Sequence, residues 1–197
     1  RQQLAGMATA EPTFAEGADA FLYRPVDMVP GLAPDPTITE AMRLFNRSLR
    51  EINLAAAAPP VPAAEGMPFY AGGTVCARCH PVADRFWKTT HHAGAWQTLV
   101  ERDKDFDREC VGCHVTGYQQ PGGSTLGHTD RLQDVQCEQC HGPGSLHAQD
   151  PINTPPSLNV VRQTTEATCT TCHNHEHSPR FDYATYLARI LGEGHGL

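Results

Sequence analysis

Cys137-Glu138-Gln139-Cys140-His141 has three counterparts of identical spacing: Cys76-Ala77-Arg78-Cys79-His80, Cys110-Val111-Gly112-Cys113-His114 and Cys169-Thr170-Thr171-Cys172-His173. The four pairs use all eight cysteines, and a histidine follows every pair. Disulfides, zinc and covalent c-type haem are the chemistries that use paired cysteines. A bridge across so short a loop gains little from chain entropy and leaves the histidines unexplained. Two tetrathiolate zinc sites would use four pairs but require no histidine after each. With eleven histidines in 197 residues, four such coincidences have a chance of roughly one in a hundred thousand, so the pattern reads as haem attachment. Two thiols one helical turn apart add across the two vinyl groups of a porphyrin, and the next imidazole reaches the iron. Four haem c groups are therefore expected, with His80, His114, His141 and His173 as proximal ligands.

The composition agrees with a fold built around cofactors. Charged residues make up 19% of the chain and aromatics 7%, with 17 glycines and 16 prolines. That mixture is poor in long regular elements and in bulky core formers. A net charge of −7 speaks against a nucleic-acid partner held through phosphates. No apolar run reaches the length of a bilayer-crossing helix, so no transmembrane segment is expected. No acid–base pair or activated nucleophile stands out, so no catalytic residue is assigned and an electron carrier is favoured over an enzyme. Haem attachment of this kind takes place outside the cytoplasm, which implies a periplasmic or extracellular protein. The numbering begins at Arg1 without an apolar signal core, so a leading segment is expected to have been removed.

The chain divides at about residue 65. Residues 1–65 form an N-terminal region: an extended arm, an amphipathic helix over about 36–57, and the stiff linker Ala58-Pro59-Pro60-Val61-Pro62. Two starts are open to the helix. Asp35 caps with Pro36 at the first helical position, or Thr37 pairs with Glu40 in a capping box. Ile38, Met42, Phe45, Leu49 and Ile52 follow at spacings of four and three, one stripe of a helix. This stripe is expected to dock on its own cytochrome domain, with a subunit contact as the alternative. Residues 66–197 form the haem domain, with only about thirty residues per motif. So little chain puts the porphyrins at the centre, wrapped by short helices and loops. Helices are expected at 81–89, 92–102 and 183–191, with a loop at 117–127. The fold class is mainly α with much irregular structure. Arginine outnumbers lysine thirteen to two, and Arg78, Arg85, Arg102, Arg108, Arg131 and Arg162 are candidates for the haem propionates.

The sixth iron ligand is read from what remains. Met7, Met28, Met42 and Met67 all precede the first motif, so a methionine ligand requires the N-terminal region to fold back. Seven histidines remain after the proximal four: His91, His92, His128, His147, His175, His177 and His195. They suffice for bis-histidine ligation throughout, which would hold the potentials low.

Three runs carry a family resemblance: His92-Ala93-Gly94-Ala95-Trp96, Glu109 to Tyr118 across the second motif, and Val135 to His147 across the third. Over residues 69–197 the chain resembles the tetrahaem cytochromes typified by the electron carrier downstream of hydroxylamine oxidation in ammonia oxidisers. The resemblance implies haems packed in stacked and offset pairs. It implies His92 as the distal ligand opposite His141, His147 opposite His80, and a C-terminal histidine opposite His173. His195 takes that last place, a few residues later than the family pattern, with His175 and His177 as rivals. In the family type the second haem, at His114, lacks a protein sixth ligand; His128 and His91 are the candidates that would close it here. Gly17 to Val26 more weakly resembles the tail that precedes this module in larger bacterial proteins with a calcineurin-like phosphoesterase domain. None of that enzyme's metal-binding runs is present, so no such activity follows, and the chain would be a processed C-terminal piece.

Three functions are consistent with these features. The leading one is electron relay between redox partner proteins through four haems. A subunit of a conductive filament or larger redox complex, gripping a neighbour through the N-terminal arm, is the second. The third is a small-molecule redox enzyme of the nitrogen-oxide type acting at an open second haem.

Overall fold

Asp35 sits in extended backbone and its carboxylate accepts from the amides of Thr37 and Ile38 at 2.8 and 3.1 Å, which starts helix α1, Pro36–Ala55. Of the two expected starts, the Asp35 cap with Pro36 behind it is the one used, because proline lacks the amide that the first turn leaves unpaired anyway. The computed structural model describes residues 31, 33–151 and 160–195. The extended arm expected at the N-terminus, with Met7 and Met28, lies outside the described residues except at its end.

α1 faces the opposite way from the expectation. Its apolar stripe points to solvent: Ile38 is 63% exposed, Met42 50%, Phe45 57% and Ile52 64%. The polar side is the docked side. Asn46 is buried and receives Lys104 Nζ at 3.4 Å, and Asn53 donates to the Phe106 carbonyl at 3.2 Å. Arg50 forks onto Asp105 (2.5 and 2.9 Å) and reaches Asp103 (2.9 Å), with its guanidinium 4.5 Å from the Phe106 ring centre. A planar five-donor head that pairs two carboxylates while lying over a ring holds one orientation.

The Arg50 clasp makes α1 docking acid-sensitive. Hydrogen bonding from Arg50 holds the Asp105 carboxyl below the usual carboxylate range, against the opposing effect of its partial burial. A depressed folded-state pKa contributes stability that is complete above the unfolded value of about 3.9 and lost as pH falls through the folded one. An acid protease is therefore expected to leave α1 intact near pH 5 and cut it below about pH 3. R50Q should open the same cuts at pH 5. Cleavage that ignores both changes would remove the clasp as the anchor.

Beyond an irregular linker, short helices alternate with loops: α2 Gly73–Cys76, α3 Pro81–Trp87, a 3-10 turn His91–Gly94, α4 Ala95–Glu101 and α5 Arg108–His114. Then come a second 3-10 turn Asp130–Leu132, α6 Cys137–His141, α7 Ser145–Gln149, α8 Glu166–Thr170 and α9 Tyr183–Ile190. The expected helices at 81–89, 92–102 and 183–191 are thus present, the second beginning as a 3-10 turn, and 117–127 is a loop. Among the described residues there is no β-strand, only isolated bridges such as Val115 with Gln133. None of the described helices is long and apolar enough to cross a membrane.

A small protein core exists where none was expected. Leu99 of α4, Val111 of α5, Val115 and Leu126 pack together, with Trp96, Cys110 and Tyr118 at the margin. Phe106 is fully buried. Gly117 closes the same region at φ 65°, where a Cβ would sit 2.7 Å from the Tyr70 ring, so both backbone and space demand glycine.

Candidate haem-attachment site

The motifs fold as single helical turns. The His80 and His173 amides donate to the Cys76 and Cys169 carbonyls at 2.9 Å. The second motif closes α5 and the third is α6 itself. Residues three and four apart share a helix face, so both sulfurs and the following imidazole emerge together.

The four turns interleave. Cys76 lies beside Cys137, and this contact first, then burial, raises Cys76 above the ordinary thiol range while the same contact holds Cys137 down. Burial and the neighbouring Cys172 push Cys113 up to about 11. Cys140 is also pushed up to about 11, by burial first and then by Cys169. The first motif thus abuts the third, the third faces the fourth, and the fourth abuts the second. None of the eight cysteines is paired in a disulfide. Among the described residues no three Cys, His or carboxylate side chains converge to cage a metal ion.

Two of the motif histidines have Nδ1 fixed by a backbone carbonyl. His114 Nδ1 lies 2.5 Å from the Ala95 carbonyl, and His141 Nδ1 lies 2.6 Å from the Val161 carbonyl. A carbonyl only accepts, so Nδ1 carries the proton and Nε2 keeps its lone pair for a metal. His173 Nδ1 meets Ser178 Oγ at 2.9 Å, and its ring stacks on Phe181 with centres 5.0 Å apart.

Two further histidines stand opposite proximal ones. The His80 and His147 ring centres are 6.4 Å apart, and those of His92 and His173 are 6.1 Å apart. Imidazoles on opposite sides of one metal, each bonded at about 2 Å, have centres about 6 Å apart, so both spacings fit an axial pair. His195 lies edge-on to Phe86 at 5.8 Å. Burial, with the nearby His141, pushes its pKa down. The Nδ1 atoms of His147 and His195 are buried without a hydrogen-bond partner, a cost that a bound group would relieve. The donor set and these orphaned nitrogens fit covalently held haem.

The ring contacts place His147 by His80 and His92 by His173, and His195 is near His141. The family resemblance implies His147 by His80, His92 by His141 and His195 by His173. The turn His91–Gly94 lies beside the fourth motif. His91, His128, His175 and His177 are all exposed. Among the described residues no histidine ring packs on His114. The six candidate propionate arginines are exposed too, and Arg131 donates to the Tyr70 carbonyl at 2.8 Å.

One residue escaped the sequence reading. Glu138, inside the third motif, is only 3% exposed. Its Oε1 accepts the amides of Ala71 and Gly144 at 2.8 and 2.7 Å, and Oε2 accepts that of Gly72 at 2.7 Å. It ties the segment before the first motif to the third. An acid between two attachment cysteines was its one available signal.

Comparison with known proteins gives the same answer as the geometry. Residues 75–142 match the family model of cytochrome c554 and c-prime. Cytochrome c-554 of Nitrosomonas europaea is 37% identical over 91 aligned residues, covering 38% of this chain and 39% of that protein. The chain therefore matches about two fifths of its curated relative's length. No solved structure matches. The fourth motif lies beyond the family match, which spans the first three. Over residues 75–142, then, this chain is similar to the cytochrome c554 and c-prime family.

Proposed function

We propose that the chain is an electron-transfer protein working outside the cytoplasm, in which residues 66–197 carry four haem c groups and residues 1–65 serve as an arm. Each bound haem c supplies a one-electron iron couple. The chain's own part is to hold neighbouring attachment points against one another. The observation that carries the proposal is the approach of the motifs to one another: Glu138 of the third binds the Ala71 and Gly72 amides just before the first, and Cys113 of the second lies beside Cys172 of the fourth. It supports a relay running through the first, third, fourth and second motifs in that order, with redox partner proteins at its ends. His147 with His80, His92 with His173 and His195 with His141 are the axial pairs in this reading.

Two observations favour further roles for the same protein. No described histidine faces His114, which supports an open iron there and binding of a small molecule. The exposed stripe on α1 supports contact with another copy of the chain, as in a homo-oligomer or filament.

Low-temperature electron paramagnetic resonance of the oxidised protein tests the ligation. Three low-spin irons and one high-spin iron are expected, with carbon monoxide taken up by about one haem in four after dithionite reduction. A chain that carries no haem would overturn the proposal, and four low-spin irons would remove the open site. Sedimentation showing a persistent monomer would remove the assembly role.

A further inference from the structure

Among the described residues, three amide donors and no acceptor meet the Glu138 carboxylate: Ala71 and Gly144 at Oε1, and Gly72 at Oε2. Such a cage selects an acceptor-only group, which among side chains is an ionised carboxylate. A glutamine would turn its own donor toward one of the three amides. The partners are neutral amides, so no cation cancels the charge. At 3% exposure it is also poorly screened by salt, which acts mainly on exposed charges.

The neighbourhood responds to this charge. Burial raises the Tyr70 pKa, and Glu138 adds to the effect. Glu138 follows Cys137 in the third motif and binds the amides of Ala71 and Gly72, which lead into the first. Cys76 and Cys137 are the facing sulfurs of the first and third motifs, so the anion sits at the junction of those two attachment points. The second and fourth motifs meet elsewhere, at Cys113 and Cys172.

An iron porphyrin gains one positive charge on oxidation, so a nearby unscreened anion stabilises the ferric form. We propose that Glu138 is a positioning residue for the electron: a fixed buried anion that lowers the reduction potentials of the haems at the first and third motifs below those at the fourth and second. Electrons then settle toward the His173 and His114 end of the relay. This rests on the four-haem reading above.

The test is a spectroelectrochemical titration of the haem-loaded full chain, with haem counted first by pyridine haemochrome. A wild-type count of zero would sink the four-haem reading itself, separately from the role of Glu138. With four haems present, E138Q is expected to raise two of the four midpoints and leave two in place. E138D keeps the charge and should leave all four near wild type, although it melts earlier. Unmoved midpoints in E138Q would overturn the proposal. Equal shifts in E138Q and E138D would do so too, since packing alone would explain them. If E138Q fails to load, E138N against E138D makes the same comparison of charge at fixed length.

Discussion

A chain in which Cys137 and Cys140 are both alanine is expected to lose about a quarter of its haem, one motif of four, and to come apart as a relay. The third motif is the junction: Cys137 faces Cys76, and Cys140 lies beside Cys169. Its helix also carries Glu138, which pins residues 71 and 72. Removing a centre from the middle leaves the first motif separated from the fourth and second. The matching change at the second motif, C110A/C113A, removes an end and leaves the other three contiguous. Haem content should therefore fall equally in the two variants. Reoxidation after a brief pulse of reductant should become multiphasic in the first alone, because one centre is stranded. If the two variants behave alike in such a stopped-flow experiment, the third motif is not central.

Phe106→Ala should cost about 3–5 kcal/mol, the usual penalty for emptying a buried phenylalanine site. Phe106 is 0% exposed, its ring lies under Arg50, and its carbonyl receives Asn53. Domains of this kind have a margin on the order of 10 kcal/mol, so a third to a half would go. The melting temperature of the haem-loaded protein should fall on the order of 10 °C. The same truncation at Phe45, 57% exposed on α1, should stay within about 0.5 kcal/mol in dilute protein. The contrast between two phenylalanines decides the orientation of α1. Equal losses would mean that the apolar stripe is buried after all.

The parts legible in the sequence were the local ones. Four motifs declare themselves because covalent attachment fixes both cysteine spacing and the following histidine. The α1 boundaries were legible in Asp35 and Pro36, since capping acts within four residues. Which face of α1 docks was not. Amphipathicity states that an apolar face exists, but the covering depends on Arg50 meeting Asp103 and Asp105, separations of 53 and 55 residues. The distal pairing is not legible for the same reason: a ligand's partner is set by how loops return, and spacing alone does not distinguish His141 from His173 as the partner of His92. Glu138 was illegible because its donors, Ala71, Gly72 and Gly144, are backbone amides that carry no sequence signal.

The interleaving of the motifs also dictates an order of assembly. Ala71 and Glu138 are 67 positions apart, and the partner of the first motif is the third rather than its neighbour in sequence. A chain emerging from its amino end exposes the first motif well before anything exists to pack against it. Closing so long a loop carries an entropic cost that local helices do not offset. In the four-haem reading proposed above, maturation would work on an open chain, with prosthetic groups installed before the folded state closes around them.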